Sequence, residues 1–386
     1  MQPITWNQQV VKRNNKSLVL QTIIEKEPLS RADIAQTTGL NKATVSSLVN
    51  DILEENLIFE SGPGESSGGR RPVLLHFNKT AGYAIGIDIG VNYVLSILTD
   101  LKGNIIVEKN QSIKDVAFEA VTGVVSEMIR SLILEMPKSS YGVVGIGIGV
   151  PGIVDKKGTV LFAPNLNWSN ISLKQHIEEE FQLPVLIENE ANAGAYGEKQ
   201  LGAGQSFLDI IYVSAGIGIG AGIILNGELY QGRNGYSGEL GHVIIQANGK
   251  KCSCGSQGCW EVYASENALL EMAPQKDATL ESLVALAEQN DPEAIELFEK
   301  IGKWIGIGVN NIINAFNPDQ VIIGNRLVVA KQWLQGPILE TIQSHTLPFH
   351  RKEVQLQFSQ LSVHSAALGV SAFVVENFIR DGATAL

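Results

Sequence analysis

Cysteine is scarce in this chain of 386 residues, which contains only three. Cys252, Cys254 and Cys259 all lie within one short segment. An odd number of closely spaced cysteines argues against a disulfide framework and is typical of metal binding. With His242 they supply three thiolates and one imidazole, the ligand set of a closed tetrahedral Zn²⁺ site. We expect a structural zinc ion, because no coordination position is left for water.

Long apolar runs are also missing. No stretch reaches the roughly 18–20 apolar residues that span a bilayer, and the N-terminus lacks the basic-then-apolar pattern of a signal peptide. Hydrophobic residues make up 44% of the chain and charged residues 18%, which is ordinary for an α/β protein with a substantial core. The sequence predicts a cytoplasmic protein of two or three domains without membrane contact.

Basic residues are in the minority, and the net charge is −11. Residues 1–79 hold nine Lys/Arg and eight Asp/Glu and carry +1, so the remainder carries −12. The acidity therefore belongs to the larger C-terminal part. The N-terminal part can still present a basic face to nucleic acid, because the distribution of charge matters more than its sum.

The N-terminal part contains residues that typically begin and end short helices. Ser30 and Asp33 form a capping-box pattern, Gly39 is placed to end that helix, and Asn41 can cap the next one. The helix after Asn41 has apolar residues at i, i+3, i+4, i+7 and i+8 on one stripe. Its opposite face is polar and consists of Lys42, Thr44, Ser46, Ser47 and Asn50.

Two short apolar segments, 57–59 and 73–77, read as strands on either side of a glycine-rich loop that ends in Arg70 and Arg71. This order predicts a winged helix-turn-helix over residues 1–79. Small polar side chains near a helix start can reach base edges in the major groove. Lys42 and the two arginines suit phosphate contacts. A helical bundle that docks on its own protein is the alternative.

From Tyr83 onward, glycine-punctuated strands alternate with amphipathic helices. The segments 84–90 and 210–224 each turn at glycines into a further apolar strand, which indicates an internal duplication. We expect two α/β lobes that face a cleft. The first would comprise residues 80–188 together with a returning C-terminal helix, 363–386, and the second would comprise residues 189–362.

A polar set suited to a polyhydroxylated ligand is spread over this second part. A predicted strand delivers Asn189 and Glu190 to the start of a helix, and Glu239, His242 and Glu261 follow. Amide groups can bind sugar hydroxyls, and carboxylates accept hydrogen bonds from them. His242 would bind zinc through one ring nitrogen and face the ligand with the other. A solvated helix start remains the alternative for the first two residues.

In combination, several motifs resemble the ROK family of repressors, open reading frames and kinases. They are Ile87-Asp-Ile-Gly90, Gly149-Val-Pro-Gly152, Asn165-Leu-Asn-Trp168, Glu188-Asn-Glu-Ala-Asn192, the glycine turn 216–222, Gly238-Glu-Leu-Gly-His242 and the cysteine cluster through Glu261. The resemblance covers essentially the whole chain. It implies an α/β fold in which a winged helix-turn-helix precedes a two-lobed, actin-like or ribonuclease H-like sugar kinase. It also adds Asn165 to the sugar-binding candidates.

The sequence departs from the family's kinases on the nucleotide side. Their Asp-x-Gly-Gly-Thr turn is here Asp88 to Asn92, with Val91 in place of the second glycine, and their Gly-Thr-Gly turn contains Ile217. A Gly-Gly pair near the end of the chain is here Gly324-Asn325, and the usual catalytic Asp is Glu190. The resemblance therefore implies retained sugar recognition without phosphoryl transfer, and we assign no catalytic residue.

The N-terminal unit places the chain with the family's repressors. The resemblance implies a homodimer that binds palindromic operator DNA and releases it when a sugar binds the kinase-like part. Similarity to repressors of xylose utilisation suggests D-xylose as the effector. An active sugar kinase that also binds DNA, a repressor that responds to glucose or N-acetylglucosamine, and a repressor read by a protein partner remain alternatives.

Overall fold

The structure, a computed structural model, describes residues 8–63, 72–350 and 353–381. The chain begins with helices α1 (Gln8–Lys26), α2 (Arg31–Thr38) and α3 (Lys42–Glu54), followed by antiparallel strands β1 (Ile58–Pro63) and β2 (Val73–Phe77). We call residues 8–77 the N-terminal unit. Arg70 and Arg71, two of the predicted DNA contacts, lie outside the described residues.

Local capping interactions set the turn between α2 and α3. The Ser30 hydroxyl accepts a hydrogen bond from the Asp33 amide, and the Asp33 carboxylate accepts one from the Ser30 amide. Gly39 ends α2 with a φ of 72°, and the Asn41 side chain accepts the Thr44 amide at 2.8 Å. The predicted helix boundaries in this region are therefore confirmed.

The rest of the chain forms two five-stranded mixed sheets with helices between and around them. The strands are β3 (Tyr83–Ile89), β4 (Tyr93–Asp100), β5 (Ile105–Ser112), β6 (Val143–Val150), β7 (Ile153–Val154), β8 (Val160–Ala163), β9 (Trp168–Ile171), β10 (Val185–Asn189), β11 (Ile210–Ala215), β12 (Ile219–Leu225), β13 (Glu228–Leu229), β14 (Gln320–Gly324) and β15 (Gln355–Phe358). The helices are α4 (Phe118–Glu135), α5 (Leu173–Phe181), α6 (Glu190–Leu201), α7 (Glu261–Ala264), α8 (Glu266–Met272), α9 (Leu280–Glu288), α10 (Pro292–Phe316), α11 (Lys331–His345) and α12 (Ser365–Asp381).

The two large sheets have the same topology. Their strand orders are β10-β6-β3-β4-β5 and β13-β12-β11-β14-β15. In each, three successive strands form an antiparallel meander, and two later strands are added in parallel beside the first. The internal duplication predicted from the glycine pattern is present. Strands β7, β8 and β9 form a small separate sheet.

Helices α6 and α12 pack against each other between the two large sheets. A Cβ added to Gly369 of α12 would lie 1.8 Å from the Ala193 carbonyl oxygen of α6. Each helix also packs closely on one sheet. Gly86 of β3 lies against the backbone of α12, and Gly222 of β12 lies against the backbone of α6. Backbone meets backbone at each of these points, so α6 and α12 pack closely on each other and on the two sheets.

The N-terminal unit shares a core with the first sheet and α12. Buried residues of its helices and strands form one hydrophobic cluster with Leu101, Val144, Val374, Val375 and Phe378. By length and composition alone, the segment Ser362–Arg380 would suit a membrane span. Most of this segment is α12, and more than half of it, 56%, is buried inside the protein, as expected of a core helix.

Candidate functional site

A cleft of about 280 Å³ opens between the ends of the two sheets. All six side chains proposed from the sequence to bind a ligand line it, namely Asn165, Asn189, Glu190, Glu239, His242 and Glu261. The two glycine turns reach it as well, through Gly90 from the first lobe and Gly216 and Gly218 from the second. The fold therefore brings together groups that are up to 171 residues apart in the sequence, Gly90 and Glu261.

The strand β10 delivers Asn189 to the start of α6, as predicted. The Asn189 side-chain oxygen accepts the amides of Ala191 at 2.9 Å and Asn192 at 3.1 Å, and so caps the helix. Its side-chain nitrogen donates to the Gly152 carbonyl oxygen at 2.8 Å. One amide N–H of Asn189 is left over from these contacts and can donate to a ligand.

Glu190 lines the cleft beside Ser214 and Asn325. The Ser214 hydroxyl donates to its carboxyl oxygens at 3.1 and 3.3 Å, and the Asn325 amide donates at 3.4 Å. Asn325 also donates to the Ser214 hydroxyl at 2.9 Å. Neither Ser214 nor this role of Asn325 was found from the sequence, because the contacts join strands that are far apart in the chain.

A second buried carboxyl, Asp88, lies beside Glu190. Burial raises the pKa of Asp88 to about 6, against the opposing effect of the Tyr93 hydroxyl, which donates to its carboxylate at 2.7 Å. Burial and the charge of Asp88 raise the pKa of Glu190 to about 8. Glu190 is therefore mainly protonated at neutral pH, and its carboxyl can donate a hydrogen bond.

Tyr93 fills space at the first glycine turn. A Cβ at Gly90 would lie 2.2 Å from the Tyr93 ring, so the ring lies directly on this glycine. Sequence reasoning missed Tyr93, since no local pattern shows that its hydroxyl reaches Asp88. Its ring lines the cleft, as do Val91 and Ile217. These two residues differ from those at the same positions in the family's kinases.

Glu239, His242 and Glu261 also line the cleft. The Glu261 carboxylate accepts the Ile219 amide at 3.1 Å and so lies against the second glycine turn. His242 directs Nε2 toward Glu239, 4.0 Å from its carboxylate, and Nδ1 toward Cys252. The two ring nitrogens therefore face different partners, and binding of zinc by one and of a ligand by the other stays a prediction.

The three cysteines and His242 form one compact cluster. Their ligand atoms all lie within 4.8 Å of one another. The Cys254 and Cys259 sulfurs are 3.7 Å apart, and the Cys252 sulfur is 3.6 Å from His242 Nδ1. A tetrahedral zinc site with Zn–S bonds of about 2.3 Å has sulfur–sulfur edges of about 3.8 Å. The donor set and its spacing thus fit a tetrahedral metal ion.

The predicted polar face of α3 points to solvent. Lys42, Ser47 and Asn50 are exposed, while the apolar stripe of α3, from Val45 to Ile52, is buried in the shared core. Arg31 of α2 donates to the Asn50 side-chain oxygen at 3.2 Å. Arg31 also pairs with Glu60 of β1 at 2.9 Å. Thr44 and Ser46 are half-buried at the sides of this face.

Comparison with known proteins places this geometry in a family. The ROK family model matches residues 84–377. A xylose repressor from Bacillus spizizenii is 46% identical over 97% of this chain and 98% of its own length. The crystal structure of a ROK family transcriptional regulator, a homologue of the E. coli MLC protein, superposes with a TM-score of 0.80 at 28% identity, over 96% of this chain and 100% of that one.

A kinase is similar as well. The ROK family glucokinase from Streptomyces griseus, solved in complex with glucose and AMPPNP, superposes with a TM-score of 0.69 at 31% identity. The match covers 76% of this chain and 99% of the glucokinase. The two lobes have the actin-like, sugar-kinase-like fold of these relatives, and the chain belongs to the ROK family.

Proposed function

We propose that this protein is a sugar-responsive transcriptional repressor of xylose-utilisation genes. It binds operator DNA as a cytoplasmic homodimer and releases the DNA when D-xylose occupies the cleft. The observation that carries the proposal is similarity over nearly the full length to proteins named xylose repressor, 45–46% identical in two Bacillus species. The match to a transcriptional regulator over 96% of the chain supports it.

The N-terminal unit is proposed to be a winged helix-turn-helix, with α3 as the recognition helix. The exposed polar face of α3 offers short hydroxyl and amide groups at the helix start, where base edges are read in the major groove. The strands β1 and β2 flank the loop that would form the wing. In a homodimer, two such units match the half-sites of a palindromic operator.

The cleft is proposed to bind the sugar through a mixed set of donors and acceptors. Glu239 and Glu261 can accept hydrogen bonds from sugar hydroxyls, while Asn165 and the remaining N–H of Asn189 can donate. Protonated Glu190 supplies a further donor. Closure of two lobes around a small ligand is a common route to a change of shape.

The same site argues against phosphoryl transfer. A general base has to be ionised to accept a proton, and the raised pKa of Glu190 disfavours the ionised form at neutral pH. Tyr93 fills space at the first glycine turn. The similarity to a glucokinase favours an active kinase as the second candidate function. ATP consumption that depends on sugar and is lost in Glu190→Gln would favour that candidate.

The test of the function begins with an operator selected from random duplexes by the protein itself. Its affinity is then measured at fixed salt by fluorescence anisotropy, with D-xylose, D-glucose or N-acetylglucosamine added in turn. We expect D-xylose alone to weaken operator binding, by about 5- to 150-fold per coupled site. Operator affinity that is unchanged at saturating D-xylose would contradict the proposal, and a response to another sugar would change only the effector.

The cysteine cluster is proposed to hold a structural zinc ion. When bound, the metal would tie the hairpin of the cysteines to His242 and so fix His242 and Glu261 at the cleft. We expect Cys252→Ser to reduce the zinc content from about one ion per chain and to weaken the sugar response. Elemental analysis of the purified protein measures the first effect. Gln257→Ala, in the same hairpin, is the control, and unchanged zinc in Cys252→Ser would contradict the site.

Lys42 is expected to contact phosphate rather than bases. Lys42→Ala should weaken operator and non-specific DNA alike, and should make the dependence of log K on log salt shallower by about one unit. Anisotropy titrations over a series of salt concentrations measure this slope. Lys276→Ala, an exposed lysine of the second lobe, should leave the slope unchanged. Loss of preference at a single base pair would instead assign Lys42 to base reading.

A further inference from the structure

The two chain segments that cross between the lobes meet at one buried carboxylate. The first crossing runs through α6, from β10 of the first sheet to β11 of the second. The other runs through residues 359–364, from β15 of the second sheet to α12, which packs on the first. Glu198 lies in the last turn of α6 and has 0% of its surface exposed.

The Glu198 carboxylate is held by donors from both crossings. One oxygen accepts the Leu361 amide at 3.1 Å, the Ser365 hydroxyl at 3.0 Å and the Ser359 hydroxyl. The other oxygen accepts the Ala203 amide at 2.9 Å. Four donors from the two crossings and the end of α6 therefore converge on this one buried side chain, so this cluster fixes the two crossings to each other at a single point.

Beyond Glu198, α6 and α12 stay in contact along their length. The rings of Tyr196 and Phe373 stack at 3.7 Å between centroids, with an interplanar angle of 8°. The Tyr196 hydroxyl donates to the Glu376 carboxylate. Together with the backbone contact at Gly369, these interactions hold α6 and α12 to each other as one packed pair.

The α6–α12 pair joins the cleft to the N-terminal unit. At one end, α6 starts at Glu190 in the cleft and lies on β12 of the second lobe. At the other end, Phe378 of α12 lies in the core of the N-terminal unit and meets the edge of Tyr141 at 5.1 Å. The Tyr141 hydroxyl then donates to the Glu55 carbonyl oxygen, directly after α3, at 2.8 Å.

We propose that Glu198 is a positioning residue. It holds both interlobe crossings against the α6–α12 pair, and movement of the lobes on sugar binding is thereby transmitted to the N-terminal unit. The inference rests on the proposed function, because it concerns the response of DNA binding to the sugar. Glu198 does not line the cleft and lies outside the N-terminal unit. Its effect is on the coupling free energy between the two sites.

The test compares operator binding and D-xylose binding in the full-length Glu198→Gln variant. We expect operator affinity without sugar, and D-xylose affinity of the free protein by calorimetry, to stay within about threefold of wild type. The weakening of operator binding by saturating D-xylose should shrink by about tenfold. Because coupling is reciprocal, the effect of the operator on D-xylose affinity should shrink by the same factor.

A second variant covers the case in which Glu198→Gln does not fold. Ser359→Ala/Ser365→Ala keeps the carboxylate and removes two of its donors, and should lose part of the coupling. Asp319→Asn is the control, since Asp319 accepts the Leu208 and Asp209 amides at 3.1 and 3.0 Å within the second lobe. It should keep wild-type coupling.

Three outcomes decide between the two proposals. Full coupling in folded Glu198→Gln, or in the serine variant if Glu198→Gln is unfolded, overturns the role of Glu198. Loss of D-xylose binding itself in these variants also overturns it, since Glu198 would then only support the cleft. A wild-type protein whose operator affinity ignores D-xylose contradicts the proposed function instead.

Discussion

Gly369→Ala is expected to destabilise the protein by about 3 kcal/mol or more, the upper range for overpacking in a core. The new methyl group would lie 1.8 Å from the Ala193 carbonyl oxygen. A carbonyl oxygen in the middle of α6 cannot turn aside as a flexible side chain can, so α6 and α12 have to separate. The change is measured as a fall in the urea concentration at the unfolding midpoint.

Two other helical glycines provide matched controls. Gly336 in α11 and Gly123 in α4 are exposed, and a Cβ at either position would meet no atom within 4 Å. Alanine at Gly123 should stabilise the protein by about 0.5–1 kcal/mol, because it restricts the unfolded chain and favours the helix. Alanine at Gly336 should be close to neutral, because Gly336 precedes Pro337 within α11 and the proline ring disfavours the helical conformation of a residue with a Cβ before it. If Gly369→Ala behaved like these controls, the close contact of α6 with α12 would be wrong.

Glu190→Gln is expected to be more stable than wild type at alkaline pH. The pKa of Glu190 is raised from 4.5 to about 8 in the folded protein, so the folded state binds the extra proton between these values. Stability then falls as the pH rises from about 4.5 to about 8, and the loss is complete above that range. Glutamine is neutral at every pH and lacks this loss.

The measurement is the difference in unfolding midpoint between Glu190→Gln and wild type, taken from pH 5 to pH 9. This difference should grow with pH up to about 8 and then level off. Asn325→Ala is the control, because it removes a neighbour of Glu190 but keeps the carboxyl, so stability should still fall over the same range. Parallel wild-type and Glu190→Gln profiles would mean that Glu190 is not held in its neutral form.

Much of the fold was predictable because its signals are local. Caps such as Ser30 and Gly39 act within one turn of a helix, and they marked the ends of α2 correctly. The repeated glycine turns indicated two similar lobes, and both sheets share one topology. The spacing of the three cysteines needed only His242 to complete a ligand set, and the fold brings the four residues together.

The electrostatics of the cleft could not be predicted in the same way. Asp88 and Glu190 are 102 residues apart in the sequence. Their pKa values are raised by burial, and this burial arises only when the two lobes pack together. The contacts of Asn325 with Glu190 and of Glu198 with the loop after β15 also depend on topology. The sequence placed Glu190 in the cleft, but it did not show that the carboxyl would be protonated.

The shared core described above means that the N-terminal unit does not bury all of its apolar surface by itself. Leu75 and Phe77 belong to the same hydrophobic cluster as Val374 and Phe378, which lie near the other end of the sequence. A gene fragment that stops after residue 79 would leave this apolar surface open to water. A premature stop codon just before α12 would do the same, and we expect it to abolish repression although the polar face of α3 is still encoded. Exchange of DNA specificity between relatives would therefore require α12 to be transplanted together with α1–α3.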